Sequence, residues 1–426
     1  VIYQAALSDE TWSGYADFLV KAEISSDLGE WSYEPVDTKL AQDTKAGTIL
    51  QLCVYAYLLG KLQGKVPERM HVVTPKDGNT LETYRTDDYG AYFRLLERGI
   101  DSFILDPAKT YPEMVSHCDI CAWWDHCEKR RRDDDHLCYV ASIGRNQIQF
   151  LKDIGIERLE QLAALDDVPR PTSGSVESLT RVRDQARAQH RQRERGLPYY
   201  ELKMPIEEEQ GLAMLPEPTA DDIFLDFEGN HFADGGVEEY LTGYVTKSAD
   251  GSFKYTPIWA TSLEEEQTAF EQFIDFAIAT RQRNPNAHIY HFASYEPAAL
   301  KRLMGRFATR DTELDALLRG NAFVDLLSVT KRALIAGVEN YSIKNLEPLF
   351  GYERQQDLRQ ASMSRRIFEA ALEADDFDEI FAEHRQAIED YNREDCESTS
   401  RLRDWLEEIR TCLLYTSDAA DDDRIV

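Results

Sequence analysis

Nowhere in the 426 residues is there an uninterrupted apolar run approaching the ~18 residues of a membrane span, which removes the helical integral-membrane classes. Positive charge is scarce: 48 Lys and Arg stand against 78 Asp and Glu, a formal net charge of −30. A polycationic coat that binds nucleic acid over the whole surface is therefore excluded, and any such contact must be local. Repeats at periods of roughly 20 to 50 residues are missing too, which excludes solenoids and propellers. No charged segment followed by an apolar one opens the chain, so no export signal is visible and the expected location is cytoplasmic.

What is present supports several folded cores. Hydrophobic residues make up 42% and aromatics 11% of the chain, and at roughly 150 residues per domain the length allows about three units. Seven cysteines are an odd number, and Cys118, Cys121 and Cys127 crowd into ten residues. That spacing fits metal ligation in a reducing compartment better than a disulfide framework. The chain begins on Val1 and reads as clipped, and Cys412 to Asp421 resembles a translated sequencing-adapter read-through; residues 412–426 are set aside as a non-native tail.

The pattern predicts an α/β fold class, with two mixed α/β domains joined by a helical connector. In residues 1–137, β-type runs at Gly14 to Lys21, Tyr33 to Leu40 and Met70 to Thr74 surround a helical pattern at Ile49 to Leu62. Residues 138–217 lose the strand signal. Two short helices flank Gly155 in a manner similar to a helix-hairpin-helix, and a Pro/Ser/Gly break at Pro169 to Ser175 precedes a long polar helix. Residues 218–411 open on the strand Ile223 to Glu228, continue through Tyr240 to Thr246 and Lys254 to Ala260, and then turn helical, with a strand at Ala287 to Phe292 and a last helix at Glu383 to Glu408.

Three groups of residues carry chemistry. Asp37 and Lys39 are two apart on a strand and project from one face, and Asp17 lies on a neighbouring strand. Two carboxylates and an ammonium can hold a hard divalent cation and offset charge at phosphorus. Gln51 and Tyr55, one helical turn apart, face the same way. The ordered string Gly14-x-x-Asp17, Asp37-x-Lys39, Gln51-Leu52-x-x-Tyr55-Ala56 resembles the RecB-like branch of the PD-(D/E)xK nucleases, which have a restriction-endonuclease-like fold. The resemblance spans Gly14 to Tyr57 and implies that Asp17 and Asp37 bind metal, that Lys39 assists catalysis, and that Gln51 and Tyr55 support the site. The family's upstream helix, with its metal-binding histidine, has no counterpart here.

The second group is Cys118, Cys121 and Cys127, soft ligands for zinc or an iron–sulfur cluster, with Cys138, His117 or His126 as a fourth within the chain. In the resembling nucleases, C-x2-C-x5-C joins one upstream cysteine to hold a [4Fe–4S] cluster; Zn2+ is the alternative.

In the third group, Asp226 and Glu228 share one face of an apolar strand, a costly arrangement without metal. Tyr391 and Asp395 share one side of a late helix, and Glu296 stands where a strand gives way to a helix. Four such acids can hold two Mg2+ or Mn2+. The order D-x-E, a Tyr295-Glu296 motif, then Y-x3-D resembles the DEDD-type RNase H-like 3′–5′ exonucleases over Ile223 to Trp405. This implies Asp226, Glu228, Glu296 and Asp395 as metal ligands and Tyr391 as the residue orienting water, although Glu296 replaces the family's usual Asp. Asp325 and Ser342 to Leu346 match further family positions.

Between the domains, Arg183, Arg187, Arg191 and Arg195 recur every fourth residue and form a basic stripe. It is either a phosphate-tracking surface or a solvated helix paired with acidic neighbours. Together the resemblances imply a metal-dependent nuclease acting on DNA, with RNA as the alternative substrate, in repair or processing beside a helicase domain or subunit. The rival expectation is an inactive nucleic-acid-binding scaffold.

Overall fold

The computed structural model describes residues 1–76, 78–106, 110–204, 210–230, 233, 235–248, 250–356, 358–374 and 379–422. It divides into two compact units, residues 1–113 and 114–426. The α/β expectation holds, with a five-stranded mixed sheet in each unit. No helix among the described residues is long and apolar enough to cross a membrane.

The first unit runs β1 (Ile2–Ser8), β2 (Ser13–Ala22), β3 (Ser32–Thr38), α1 (Ala46–Gln63), β4 (Arg69–Thr74), β5 (Thr80–Arg85) and α2 (Thr86–Leu105). Its strands lie in chain order and pair antiparallel except β3 and β4, which α1 joins as a parallel crossover. On α1, Ile49, Leu52, Cys53, Ala56 and Leu59 recur at three- and four-residue spacing and pack onto Leu19, Met70 and Val72 of the sheet. The helix stops at Gly64, whose φ of +66° suits glycine and whose absent Cβ would lie 1.9 Å from the Asp27 carboxylate. β1 and β5 had no counterpart in the sequence reading; they are the two edges of this sheet, partly exposed and weakly patterned.

The second unit begins with a 3-10 turn at Ser116–Ile120 and α3 (Trp124–Asp133), followed by α4 (Arg145–Asp153), α5 (Leu159–Ala163), α6 (Val176–Arg195) and β6 (Tyr200–Leu202). The cysteine run therefore falls in this unit. The helices of the connector have a core of their own, in which Leu151, Leu159, Leu162, Leu179 and Val182 meet.

Next come β7 (Ile223–Gly229), β8 (Glu239–Lys247), β9 (Phe253–Trp259), α7 (Leu263–Arg283), β10 (Ile289–His291), α8 (Tyr295–Phe307), α9 (Asp311–Arg319) and β11 (Phe323–Asp325). The chain ends with α10 (Leu326–Ala333), β12 (Leu334–Ala336), α11 (Ile343–Phe350), α12 (Leu358–Glu373) and α13 (Glu379–Asp422), so the last helix continues into the segment set aside as a tail. The connector is tied to this part of the unit. β6 pairs antiparallel with β12, and the Gln185 amide of α6 donates to the Ala336 carbonyl at 2.8 Å.

The large sheet is ordered β11-β10-β7-β8-β9, with β7, β10 and β11 parallel and the β7-β8-β9 meander antiparallel. Both faces of β7 are covered. Ile223, Leu225 and Phe227 pack on Phe270, Phe273 and Ile274 of α7 and on Leu300 of α8, whereas Phe224 packs with Cys396, Leu402 and Leu406 of α13. Because side chains alternate along a strand, Asp226 and Glu228 share the Phe224 face and look toward α13. A buried ion pair, Arg403 to Asp222 at 2.6 Å, fixes α13 against the start of β7.

Candidate metal centre

Asp226 and Glu228 of β7 meet Asp395 of α13, and oxygens of the three carboxylates all lie within 4.8 Å of one another. Glu228 and Asp395 are buried, and Asp226 is partly so. Among the described residues, this is the one group of three or more His, Cys, Asp or Glu side chains that closes to such a distance. Three hard oxygen donors converging on one point are the donor chemistry of Mg2+ and Mn2+.

The surroundings show what holds the acids there. Asn392, one turn before Cys396 on α13, donates from Nδ2 to Asp226 Oδ2 at 2.8 Å, and Tyr255 of β9 donates to Asn392 Oδ1 at 2.8 Å. Gly243 of β8 makes this possible, because a Cβ there would stand 1.6 Å from Asn392 Oδ1. Arg365 of α12 donates to Glu228 Oε2 at 2.9 Å. Arg354 donates to Asp395 and to Glu347, and Lys344 lies 3.7 Å from Asp395 while donating to the Tyr391 hydroxyl.

These cations do not neutralise the crowding. Burial, then the charges of Asp395, Glu228 and Glu296, push Asp226 well above the ordinary carboxylate range. Burial likewise pushes Glu228 up to about 7, with Arg365 opposing it. Tyr391 is raised by burial and the nearby Asp395, against which Lys344 acts. A site in which Asp226 and Glu228 resist ionisation in the bare protein is one in which a divalent cation would relieve repulsion, so the donor set fits such an ion.

The fourth acid expected here stands apart. Glu296 is buried on α8 with its Oε2 3.4 Å from His291 Nδ1, and it is not in the three-carboxylate group. Burial raises its pKa and the neighbouring His291 imidazole lowers it, with a net rise. Its charge still reaches Asp226. The longer Glu side chain, where an Asp was the family expectation, finds the neighbouring imidazole. Asp325 caps α10, accepting from the backbone N–H groups of Leu327, Ser328 and Ala293, a structural use.

In the first unit all five expected residues come together. Lys39 Nζ lies 2.6 Å from Asp37 and donates to Gln51 Oε1 at 3.1 Å, and Gln51 donates to the Tyr55 hydroxyl at 2.8 Å. Asp17 accepts from the Thr38 N–H and hydroxyl at 2.8 and 2.7 Å. Burial raises Asp37 against the pull of Lys39, whereas Asp17, although burial works against it, is held low by Thr38. Gly14 belongs to the same arrangement, since a Cβ there would meet the Tyr55 ring at 2.8 Å.

The cysteine run and the α6 arginines lie elsewhere in the second unit. None of the cysteines is in a disulfide; Cys118 Sγ accepts from the Val115 N–H at 3.4 Å, and among the described residues Cys118, Cys121 and Cys127 do not gather as closely as the three carboxylates do. On α6, Arg183 donates to the Asp166 carbonyl and Arg187 to those of Ala163 and Leu165, the chain leaving α5. Arg191 pairs with Glu201, and Arg195 stacks 4.7 Å from the Tyr199 ring centre. The stripe thus engages carbonyls and acids of its own unit, Asp184, Asp166 and Glu201 among them, the short α5 leaving carbonyls open beside it.

Sequence reasoning missed Arg354, Arg365, Asn392 and Gly243. Asn392 lay inside the quoted Tyr391-to-Asp395 run, but nothing local marks an arginine forty residues from its carboxylate. With this geometry in view, residues 223–407 match the family model described as the RNase H superfamily. No curated protein and no solved structure matches the chain. The part of the second unit that carries Asp226, Glu228 and Asp395 is an RNase H-like domain.

Proposed function

We propose that the RNase H-like domain hydrolyses phosphodiester bonds in nucleic acid with a divalent metal held by Asp226, Glu228 and Asp395. The observation that carries this reading is the convergence of three carboxylates from a central strand and a late helix, with Asp226 and Glu228 both held above the ordinary carboxylate range. A bound Mg2+ or Mn2+ supplies Lewis-acid activation of water and of the phosphoryl oxygens. Asn392 orients the Asp226 carboxylate, and Arg365 does the same for Glu228. Lys344 and Tyr391, bonded to each other beside Asp395, offer an ammonium for a phosphate oxygen and a hydroxyl that can position water. Attack from the 3′ end follows from the resemblance to DEDD exonucleases, in which Glu296 would be the fourth acid.

The first unit is read in the same way as a second nuclease centre, with Asp17 and Asp37 as metal ligands, Lys39 as the catalytic cation, and Gln51 and Tyr55 fixing Lys39. Its RecB-like resemblance further implies DNA as substrate, a role in repair or processing, and a helicase as partner. Cys118, Cys121 and Cys127 are soft donors for a [4Fe–4S] cluster or Zn2+, and anaerobically purified protein would show the cluster's broad visible absorbance.

The deciding experiment follows end-labelled single-stranded DNA and RNA with Mn2+ or EDTA, for the wild type, Asp226→Ala, Asp17→Ala and the double variant. Metal-dependent shortening from the 3′ end, lost in Asp226→Ala, is expected; hydrolysis unchanged in the double variant would falsify the enzyme reading. One observation favours a binding module instead: Arg354 and Arg365 already engage Asp395 and Glu228. That reading predicts salt-sensitive binding with no metal-dependent cleavage.

A further inference from the structure

A pocket of about 300 Å³ opens in the second unit between α6, the strand end at Lys203, and α10 with the segment that follows it. Three cations line it, Arg181, Lys203 and Lys331, together with the Tyr341 and Ser178 hydroxyls. Among the described residues that line it there is no Asp or Glu. Lys203 reaches across the pocket and donates from Nζ to the Lys331 carbonyl at 2.6 Å, which holds two ammonium-bearing residues side by side. Desolvation and then the Arg181 charge lower the Lys203 pKa. Glu177, one turn before Arg181 on α6, feels the Arg181 charge.

Three exposed like charges gathered at one pocket, whose described lining holds no counterion, make an anion site. Two further observations say which anion. A second pocket, of about 350 Å³, adjoins the first at Ser178 and is lined by Arg145 and by neutral polar residues such as Asn146 and Ser175, again with no acid. A lone phosphate needs one such pocket, whereas a strand with a phosphate on every nucleotide can use two in succession. In the other direction, Tyr341 lines the first pocket, and Lys344, three residues on, touches Asp395 and Tyr391. The cationic pocket and the carboxylate group therefore lie at the two ends of one short segment.

We propose that the pocket of Arg181, Lys203 and Lys331 binds the phosphodiester backbone of a single nucleic-acid strand whose end lies at the carboxylate site. The strand's destination rests on the nuclease reading above; the anion pocket does not. This basic surface is distinct from the α6 arginine stripe. It is assembled from three chain segments more than a hundred residues apart at their extremes, so no local run of charge announces it.

The test is fluorescence anisotropy of an end-labelled oligothymidylate in EDTA, so that no cleavage intervenes, with the full chain and its Lys203→Ala/Lys331→Ala variant. The variant is expected to bind about tenfold or more weaker, with a log–log salt slope smaller by about 1.4, two contacts at ~0.7 each for single strands. Its Mn2+-dependent hydrolysis of bis(p-nitrophenyl) phosphate should stay at the wild-type rate. Should the alanine variant melt early, Lys203→Gln/Lys331→Gln reads the same contacts, and Lys203→Arg/Lys331→Arg should restore binding. Unchanged affinity and slope in a folded variant overturn the proposal. So does thermal stabilisation by inorganic phosphate that is lost in the variant while oligonucleotide binding is intact, which would make this a site for a free anion. Absent hydrolysis by the wild type, with binding still lost in the variant, removes the nuclease reading and leaves the strand site standing.

Discussion

Replacing Asp226 with Asn should make the metal-free protein more stable and take away its response to metal. Oxygens of the three carboxylates lie within 4.8 Å, and at an effective dielectric of about 20 each charged pair at that distance repels by about 3 kcal/mol. Protonation and the nearby cations Lys344, Arg354 and Arg365 reduce this, so removing one charge should return about 1–2 kcal/mol. Asn keeps an acceptor for the Asn392 amide, so the 2.8 Å bond is retained. For a unit of this size, about 2–4 °C of Tm per kcal/mol places the expected rise at a few degrees. The assay is scanning calorimetry of wild type and Asp226→Asn, in EDTA and then in excess Mn2+. Wild-type protein should gain about 3 kcal/mol at a metal concentration a hundredfold above Kd, and the variant little. A variant that melts lower than wild type in EDTA and gains as much from Mn2+ would refute the electrostatic account of the site.

Other outcomes follow from the same geometry. Burial raises Glu228 to about 7 from an ordinary 4.5, so between these values the folded protein keeps a proton that the unfolded chain releases. Metal-free stability should therefore fall as pH rises from about 4.5 to 7, by at most about 3 kcal/mol from this group, and Glu228→Gln should flatten that slope in calorimetry. Mn2+ affinity, measured by titration calorimetry, should strengthen through the same window because the ion displaces the proton. Gly243→Ala puts a Cβ 1.6 Å from Asn392 Oδ1; a loss of about 1–3 kcal/mol on denaturant unfolding is expected, with Mn2+ affinity falling as Asn392 leaves Asp226. In the first unit, Gly14→Ala drives the Tyr55 ring away at 2.8 Å; denaturant melts should show a loss of about 1 kcal/mol or more.

Much of the site was legible because its signals are local. Strand periodicity alone puts Asp226 and Glu228 on one face, and helical periodicity puts Tyr391 and Asp395 on one side, so the two halves of the carboxylate group could be read before any fold was known. The same holds for Asp37 with Lys39 and for Gln51 with Tyr55. The apolar run of β7 and the long last helix were equally plain, whereas the edge strands β1 and β5, partly exposed, had too little pattern to read.

Only the tertiary structure decided which of these halves meet and what stands between them. Arg354 and Arg365 reach their acids across 41 and 137 residues of chain, a separation over which no periodicity carries information. Glu296 was legible as an acid at a strand's end, but the extra methylene that lets it find His291 matters only once β10 and α8 fix both side chains. The arginines of α6 formed an unmistakable stripe, yet the fold turns Arg183 and Arg187 toward the carbonyls after α5, and it gathers Arg181, Lys203 and Lys331 from separate segments at one pocket. Sequence specifies spacing within an element; the partners of a charge are settled by whatever packing brings within a few ångströms of it.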